Sequence, residues 1–290
     1  MSPLPFALVA TILALGLPLL LDGVERKIRA AIHSRIGPPV TQTILDFLKL
    51  FSKETRVTRS ALVFTYLSLT SLITMAAGLF AEAMYLATLD EKYLFYTIVY
   101  YIISQSTATL SFLILPNPYS IIGGFREVLV SLVNEPFMLL GLLLYIRFLG
   151  VINHSPLGFL GLAGSTGIVL VASYVSTRRV PFDLAEAEPE LASGVLIELT
   201  GRVLLLALYM MLALRAFSQL IPLVLLAPWL GGGWVSALIA YIAWLPLTWA
   251  IYATVSNIMG RSRVDLAVKR LAEIYLILLA SVVAGVLGGS

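Results

Sequence analysis

Apolar residues run along this chain in long blocks, without the strict alternation of a half-buried strand. A membrane helix needs about 20 mainly apolar residues. Eight stretches meet that length: roughly 3–21, 61–80, 94–115, 128–149, 157–177, 201–221, 234–258 and 273–288. The pattern predicts one all-α polytopic transmembrane domain over 1–290, with eight spans. A transmembrane barrel would need alternating strands of about ten residues, and that pattern is absent. The long polar segments are 22–60 and 178–200. Within the first, TQTILDFLKLFSKE (41–54) puts Gln42, Asp46, Lys49 and Lys53 on one helical face and fills the rest with Ile44, Leu45, Phe47, Leu48, Leu50 and Phe51. This predicts an amphipathic helix at the membrane surface and a platform for a soluble partner. The preceding Arg35-Ile-Gly-Pro-Pro is a rigid basic turn, in which Gly37 is expected to supply an unusual backbone angle.

Composition agrees with lipid as the solvent. Hydrophobic types make up 59% and charged types 12%, about half the charged share of a soluble domain. Disorder is therefore excluded, and an ordinary soluble enzyme is strongly disfavoured. The chain has no Cys, so it forms no disulfide and supplies no thiolate to zinc or to an iron–sulfur cluster. Two His are a poor basis for a haem or metal site. The net charge of +3 is not a nucleic-acid signature, because the cations are segregated. Four regions, following spans one, three, five and seven, hold 16 of the 19 Lys and Arg, while Lys92, Arg147 and Arg215 are assigned to the opposite side. The positive-inside rule then places the rich side in the cytoplasm and both termini outside. No basic region precedes the first span, so 3–21 reads as a retained helix rather than a signal peptide. The lack of an evident internal repeat weakens a secondary-transporter reading.

Charge at bilayer depth costs about 2.5–3.5 kcal/mol on translocon scales and needs a reason. Glu135 sits in a nearly apolar run, about 12 Å along the helix from Glu127, with Asn134 before it and Pro136 after it. Proline frees the carbonyl of Leu132, so this is a candidate proton-binding and water-holding point; the bland alternative pairs Glu135 with Arg126 or a neighbouring helix. A second group lies in RRVPFDLAEAEPELASGVLIELTGR (178–202), where Asp183, Glu186, Glu188, Glu190 and Glu198 fall close together. Glu190, Gly194 and Glu198 share one face of a predicted helix that Pro189 opens, with Arg202 placed to pair with Glu198. Closely spaced carboxylates resist simultaneous ionisation, so such a chain of acids suits ion movement. At the end of span one, Asp22, Glu25, Arg26, Lys27 and Arg29 read as interfacial anchors with a Glu25–Arg29 helix pair.

These residues carry a resemblance. Glu25-Arg26-Lys27, Arg35-Ile-Gly-Pro, Asp46-Phe-Leu-Lys-Leu with Lys53-Glu54, Arg126 with Asn134-Glu135, Pro181-Phe-Asp-Leu-Ala-Glu-Ala-Glu-Pro-Glu-Leu, Glu198-Leu-Thr-Gly and Arg261-Ser-Arg-Val-Asp265 occur in order over nearly the whole chain. The sequence resembles the family of respiratory complex I subunit 1, a membrane component of NADH:quinone oxidoreductase whose relatives include the membrane-bound [NiFe] hydrogenases and formate hydrogenlyases. The resemblance implies an eight-helix subunit of a prokaryotic cell membrane. It would bind no cofactor and hold no catalytic or metal-ligating residue itself. Its partners would be a NiFe-type large subunit and iron–sulfur subunits on the cytoplasmic side, antiporter-like membrane subunits and lipid, with no nucleic acid. It further implies a junction with the redox arm at Glu25, Arg26, Lys27, Arg35, Asp46, Lys49, Arg126, Arg178, Arg179 and Asp265. Glu127, Glu135, Asp183, Glu186, Glu188, Glu190 and Glu198 would serve ion translocation. Ser34 and Pro39 around the Gly-Pro turn, Val133-Asn134 before Glu135, and Leu266 after Asp265 depart from the quinone-using pattern and favour the hydrogenase branch. The implied function is coupling of electron transfer from ferredoxin or formate to protons with proton or sodium translocation. The alternatives are a quinone-chamber subunit, a sulfur-reducing relative, a passive anchor and a stand-alone transporter.

Overall fold

The computed structural model describes residues 3–55, 58–149, 156–184 and 196–288, and all regular structure in them is helical. The elements in chain order are α1 (Pro3–Gly16), α2 (Pro18–Ile32), α3 (Gln42–Ser52), α4 (Arg59–Thr88), α5 (Glu91–Leu113), α6 (Pro118–Leu149), α7 (Pro156–Ser176), α8 (Gly201–Leu220), α9 (Ala227–Leu230), α10 (Trp234–Ile258) and α11 (Val264–Gly288). A 3₁₀ segment, Ile221–Leu226, joins α8 to α9.

Among the described residues, seven helical stretches are long and apolar enough to cross a membrane. The first combines α1 and α2 over Pro3–Ile32, interrupted at Leu17 before Pro18. The sequence pattern predicts eight spans, and α5 is the one that falls short on hydropathy. Its Tyr, Ser, Thr and Gln residues lower its mean, yet Thr97, Ser104, Gln105, Thr109 and Ser111 are buried. Thr97, Ser104, Thr109 and Ser111 donate to carbonyls of their own helix, which satisfies the hydroxyls without water. Predicted boundaries shift elsewhere: α4 continues to Thr88, and α6 begins at Pro118, so Arg126 and Glu127 are inside a helix.

The stretch Gly201–Leu230 is central, with 89% of its span buried against 22–50% for the others. It packs against α1, α2, α4, α5, α7 and α10, and the amphipathic α3 lies across it. Close approach is achieved with small residues, as expected where lipid supplies no hydrophobic drive between helices. A Cβ on Gly78 would meet the Phe217 ring at 2.5 Å, and one on Gly164 would meet Ser281 Oγ at 2.1 Å. Gly23 admits the crossing loop, because a Cβ there would lie 1.9 Å from the Val40 carbonyl oxygen. Gly37 does not take the unusual angle expected of it; Ser34 does, with φ 53°. Gly37 is needed for room, since its Cβ would meet that of Ala30 at 2.9 Å.

α3, the 177–184 turn and residues 261–263 gather at one end of the bundle, here the basic end. The expected place of Arg215 on the opposite side is corrected: it donates to the Thr177 carbonyl (3.1 Å) and interacts with Glu25 and Arg179. Fourteen residues into α8, it is long enough to reach the basic end from inside the bundle. Because the chain lacks Cys, single-Cys labelling tests the span of α4. Cys at Leu45, exposed on α3, and Cys at Asp90, exposed after α4, should react with an impermeant maleimide from opposite membrane faces. Reaction of both from the same face would contradict the architecture.

Candidate coupling site at the basic end

α7 stops at Ser176, and the chain turns through Thr177 N–H to Tyr174 O (3.1 Å) and Arg178 N–H to Val175 O (3.0 Å). The Tyr174 hydroxyl donates to the Val180 carbonyl and closes the turn. Arg178 has φ 54°, in the left-handed region, which costs a residue with a Cβ about 1–2 kcal/mol. This turn lets two successive arginines point into different helix interfaces.

Arg178 reaches Glu127 on α6, with Nε donating to Oε1 at 2.7 Å, and Thr109 on α5 at 3.3 Å. Its guanidinium lies 5.5 Å from the Phe112 ring centre. Arg179 reaches Glu25 on α2, with Nη2 donating to Oε2 at 2.6 Å, and lies 4.8 Å from the ring centre of the fully buried Trp249 on α10. Glu25, Glu127, Arg178 and Arg179 are each no more than 6% exposed. Burial pushes the Arg179 guanidinium below its ordinary range, while the Glu25 carboxylate holds it up. The predicted Glu25–Arg29 pair is present only at 3.9 Å, so Arg179 is the main partner of Glu25.

Glu135 lies on α6 beyond Glu127, facing a cleft of about 520 Å³ between α5 and α6. Ile102, Leu110, Val128, Leu132, Pro136 and Leu139 make its wall apolar; Ser106, Thr109, Ser131 and Glu135 supply the polar groups. Among the described residues Arg178 is ion-paired with Glu127 alone, and Glu135 lies within electrostatic range of both; Thr109, which accepts from Arg178, also lines the cleft that Glu135 faces. Asn134 is structural: it donates to Ser176 Oγ (2.7 Å) and Ala172 O (3.2 Å) and accepts from Tyr275 (2.5 Å), tying α6 to α7 and α11.

A polar seam runs inward from these pairs. Tyr101 is within electrostatic range of Glu135 and near Ser176, Ser218 and Gln105, but its buried hydroxyl makes no hydrogen bond, so the hydrogen-bonded part of the seam begins at Gln105. Gln105 donates to Ser218 Oγ (3.0 Å), Ser173 donates to the Ser218 carbonyl (2.6 Å), and Tyr252 donates to Ser173 Oγ (3.2 Å). Tyr252 in turn interacts with Arg179. The seam therefore connects the neighbourhoods of the two charged pairs through the interior. Span patterning alone misses it, because each member is a lone hydroxyl or amide in an apolar run.

The other candidate residues sit apart. Arg26 bridges Asp22 (3.0 Å) and Asp46 (3.1 Å), and Thr43 donates to Asp22 (2.7 Å), which latches α3 onto α2. With Phe47, Leu208, Met211, Leu212 and Arg215 this latch encloses a cavity of about 130 Å³. Lys27, Arg35 and Lys49 are exposed at the same end. Arg126 is half-buried on α6. Asp265 is exposed, 3.8 Å from Arg263. Asp183 is held by Arg261, which links the turn after α7 to the loop after α10. Glu186, Glu188 and Glu190, and the predicted helix through Gly194, lie outside the described residues. Glu198 occupies a turn before α8 rather than a helix, and its Oε2 is buried without a partner. It lines a cavity of about 200 Å³ with Thr58, Ala61, Leu115, Leu199, Thr200 and Val203. Arg202 does not pair with it as expected; Arg202 stacks on Phe51 at 4.8 Å and donates to the Phe51 carbonyl. Among the described residues, no cluster of three His, Asp or Glu forms a metal site.

The helical architecture and the charged pairs buried within it define an all-α multispan membrane protein. The family described as NADH dehydrogenase matches residues 5–286, and the chain belongs to it. It is 31% identical to hydrogenase-4 component C of Escherichia coli K12 over 218 residues, covering 70% of this chain and 68% of that protein. It is 28% identical to formate hydrogenlyase subunit 4 of the same organism over 282 residues, covering 90% and 92%. It is also 28% identical to an NADH-quinone oxidoreductase subunit of Geobacillus thermodenitrificans, covering 77% and 71%. Its fold matches a chain in a structure of the archaeal membrane-bound sulfane sulfur reductase with a TM-score of 0.72 at 22% identity, covering 98% and 100%.

Leaving one member of a buried pair behind costs about 3–5 kcal/mol, because its charge loses its compensation. Arg179→Gln should therefore lower the unfolding temperature of the purified subunit sharply. Adding Glu25→Gln should restore most of the loss. Equal destabilisation in the single and double variants would contradict the pairing.

Proposed function

We propose that this chain is the membrane subunit that seats the redox arm of a hydrogenase-type respiratory complex and couples electron transfer to proton or sodium translocation. The observation that carries this reading is the buried Arg178–Glu127 pair, joined through Thr109 to the wall of the cleft that Glu135 faces. A charge change near the basic end alters the field of that pair at Glu135. That changes the proton or ion affinity of Glu135 without moving a helix. The subunit itself carries no redox centre in this reading. The arm, with its iron–sulfur clusters and NiFe centre, sits on the surface formed by α3, the 177–184 turn and residues 261–263. Antiporter-like subunits flank the bundle, and α5 serves as an eighth span despite its polarity. The basic end faces the cytoplasm, with both termini outside.

The relatives named for hydrogenase-4 and formate hydrogenlyase support the hydrogenase branch, the latter by its match over nearly the full length of both chains. A quinone-chamber reading draws on the NADH-quinone oxidoreductase relative and the polar cavity beneath α3. That cavity, about 130 Å³, is well below the roughly 300–1,000 Å³ of ordinary ligand pockets, which weighs against it. The fold likeness to the sulfur reductase is neutral between branches.

Glu135→Gln keeps the side-chain shape and removes the titration. In proteoliposomes carrying the whole complex, it should leave assembly intact and lower the number of ions moved per electron, or slow turnover if the two are tightly coupled. Normal turnover with an unchanged ratio would reject the role of Glu135. Glu198→Gln should behave likewise if the acid before α8 belongs to the same route; a normal ratio in that variant would remove Glu198 alone.

A further inference from the structure

Glu82 lies on α4, two residues past the predicted end of the second span, and outside the candidate acids named above. It is 0% exposed, and neither carboxylate oxygen has a hydrogen-bond partner. It is six residues from the end of α4, about 9 Å by helical rise, at the end opposite the charged pairs. Tyr241, seven residues into α10, comes to a similar depth from the same end. Tyr241 is 1% exposed, its hydroxyl also lacks a partner, and it interacts electrostatically with Glu82.

Two orphaned polar groups at a similar depth on packed helices require an account. An ionised carboxylate with no partner is far too costly to bury, so the group neutralises by holding a proton. The charged side chains on the elements around this end do not relieve that constraint. Asp90 in the α4–α5 turn and Glu91 and Lys92 on α5 are exposed, and α1, Ile221–Leu226 and α9 contribute no charge. The other phenols near this end are Tyr85 on α4, the half-buried Tyr93 on α5 and Tyr145 on α6. Gly232, in the turn before α10, lies against Leu89 and the Ala87 carbonyl.

We propose that Glu82 and Tyr241 form a proton-binding site in the far half of the bundle, distinct from the seam at Glu135, at which the subunit takes up and hands on a proton during ion movement. The carboxyl releases H⁺ as a carboxylate, and the Tyr241 O–H, which makes no hydrogen bond in this structure, turns to donate to it in that state. No bond other than O–H breaks, and no electron moves. The site rests on the ion-coupling reading but uses different residues.

Infrared difference spectra of the intact complex read the protonated-carboxyl C=O band directly. Glu82→Gln should remove a band that Glu135→Gln leaves in place, and Glu82→Gln proteoliposomes should show a loss in ions moved per electron. Tyr241→Phe should keep the band and move its loss on titration to higher pH, because the carboxylate loses its donor; this keeps the test available if Glu82→Gln does not assemble. An unchanged band in Glu82→Gln, or a titration of the band left in place by Tyr241→Phe, overturns the proton site. A lost band with a normal ion-to-electron ratio overturns its part in ion movement. A lowered ratio in Glu82→Gln beside a normal one in Glu135→Gln upholds this site while the reading built on Glu135 fails.

Discussion

The arrangement depends on two consecutive arginines held in a left-handed turn. Arg178 and Arg179 follow α7 directly, and the φ of 54° at Arg178 sends one side chain to α5 and α6 and the other to α2 and α10. Burying a cation next to a second cation is unfavourable, so each is neutralised by its own acid and faced by an aromatic ring. Four helices converge on one turn as a result. The backbone strain at Arg178 is small beside the penalty of leaving either guanidinium without its carboxylate. A pair of this kind contributes little net stability over an apolar substitute, and its value lies in fixing where charge sits.

That placement joins the two halves of the molecule. Arg178 holds Glu127 and, through Thr109, touches the cleft between α5 and α6 that Glu135 faces. Arg179 ends the seam that returns through Tyr252, Ser173 and Ser218. In the proposed coupling, these residues are the route by which an event at the basic end would reach side chains at membrane depth, through electrostatics and hydrogen bonding. α3 is latched to α2 by Arg26, Asp22 and Asp46, so a partner docked on α3 presses on the same helix that presents Glu25.

Much of this is legible in the sequence. The helical class, the amphipathic α3, the boundaries of α8 and α10 and the isolation of Glu135 follow from apolar run length and the cost of buried charge. Arg178 and Arg179 stand out as basic residues, but their partners lie 51 and 154 positions away, and no local spacing reports that. Arg215 is misplaced by run position alone, which assigns it to the far side; the cost that singles out Glu135 also marks Arg215 as a buried charge in need of a partner. Glu82 escapes because the apolar run thins near residue 80, while α4 continues through a wholly buried stretch to Ala87. The polar character of α5 pulls its hydropathy down for the same reason that it lines the seam.

The central claim is that the Arg178–Glu127 pair sets the charge felt at Glu135 and does not merely glue α6 to the turn after α7. The most direct measurement is the number of ions moved per electron by reconstituted complex carrying Arg178→Gln together with Glu127→Gln. This double variant removes a cation and an anion at once, leaves no buried charge stranded and keeps both side chains polar. The account predicts an assembled complex with retained electron transfer and a lowered ratio. An assembled complex with the wild-type ratio would contradict it and leave the pair as a purely structural contact.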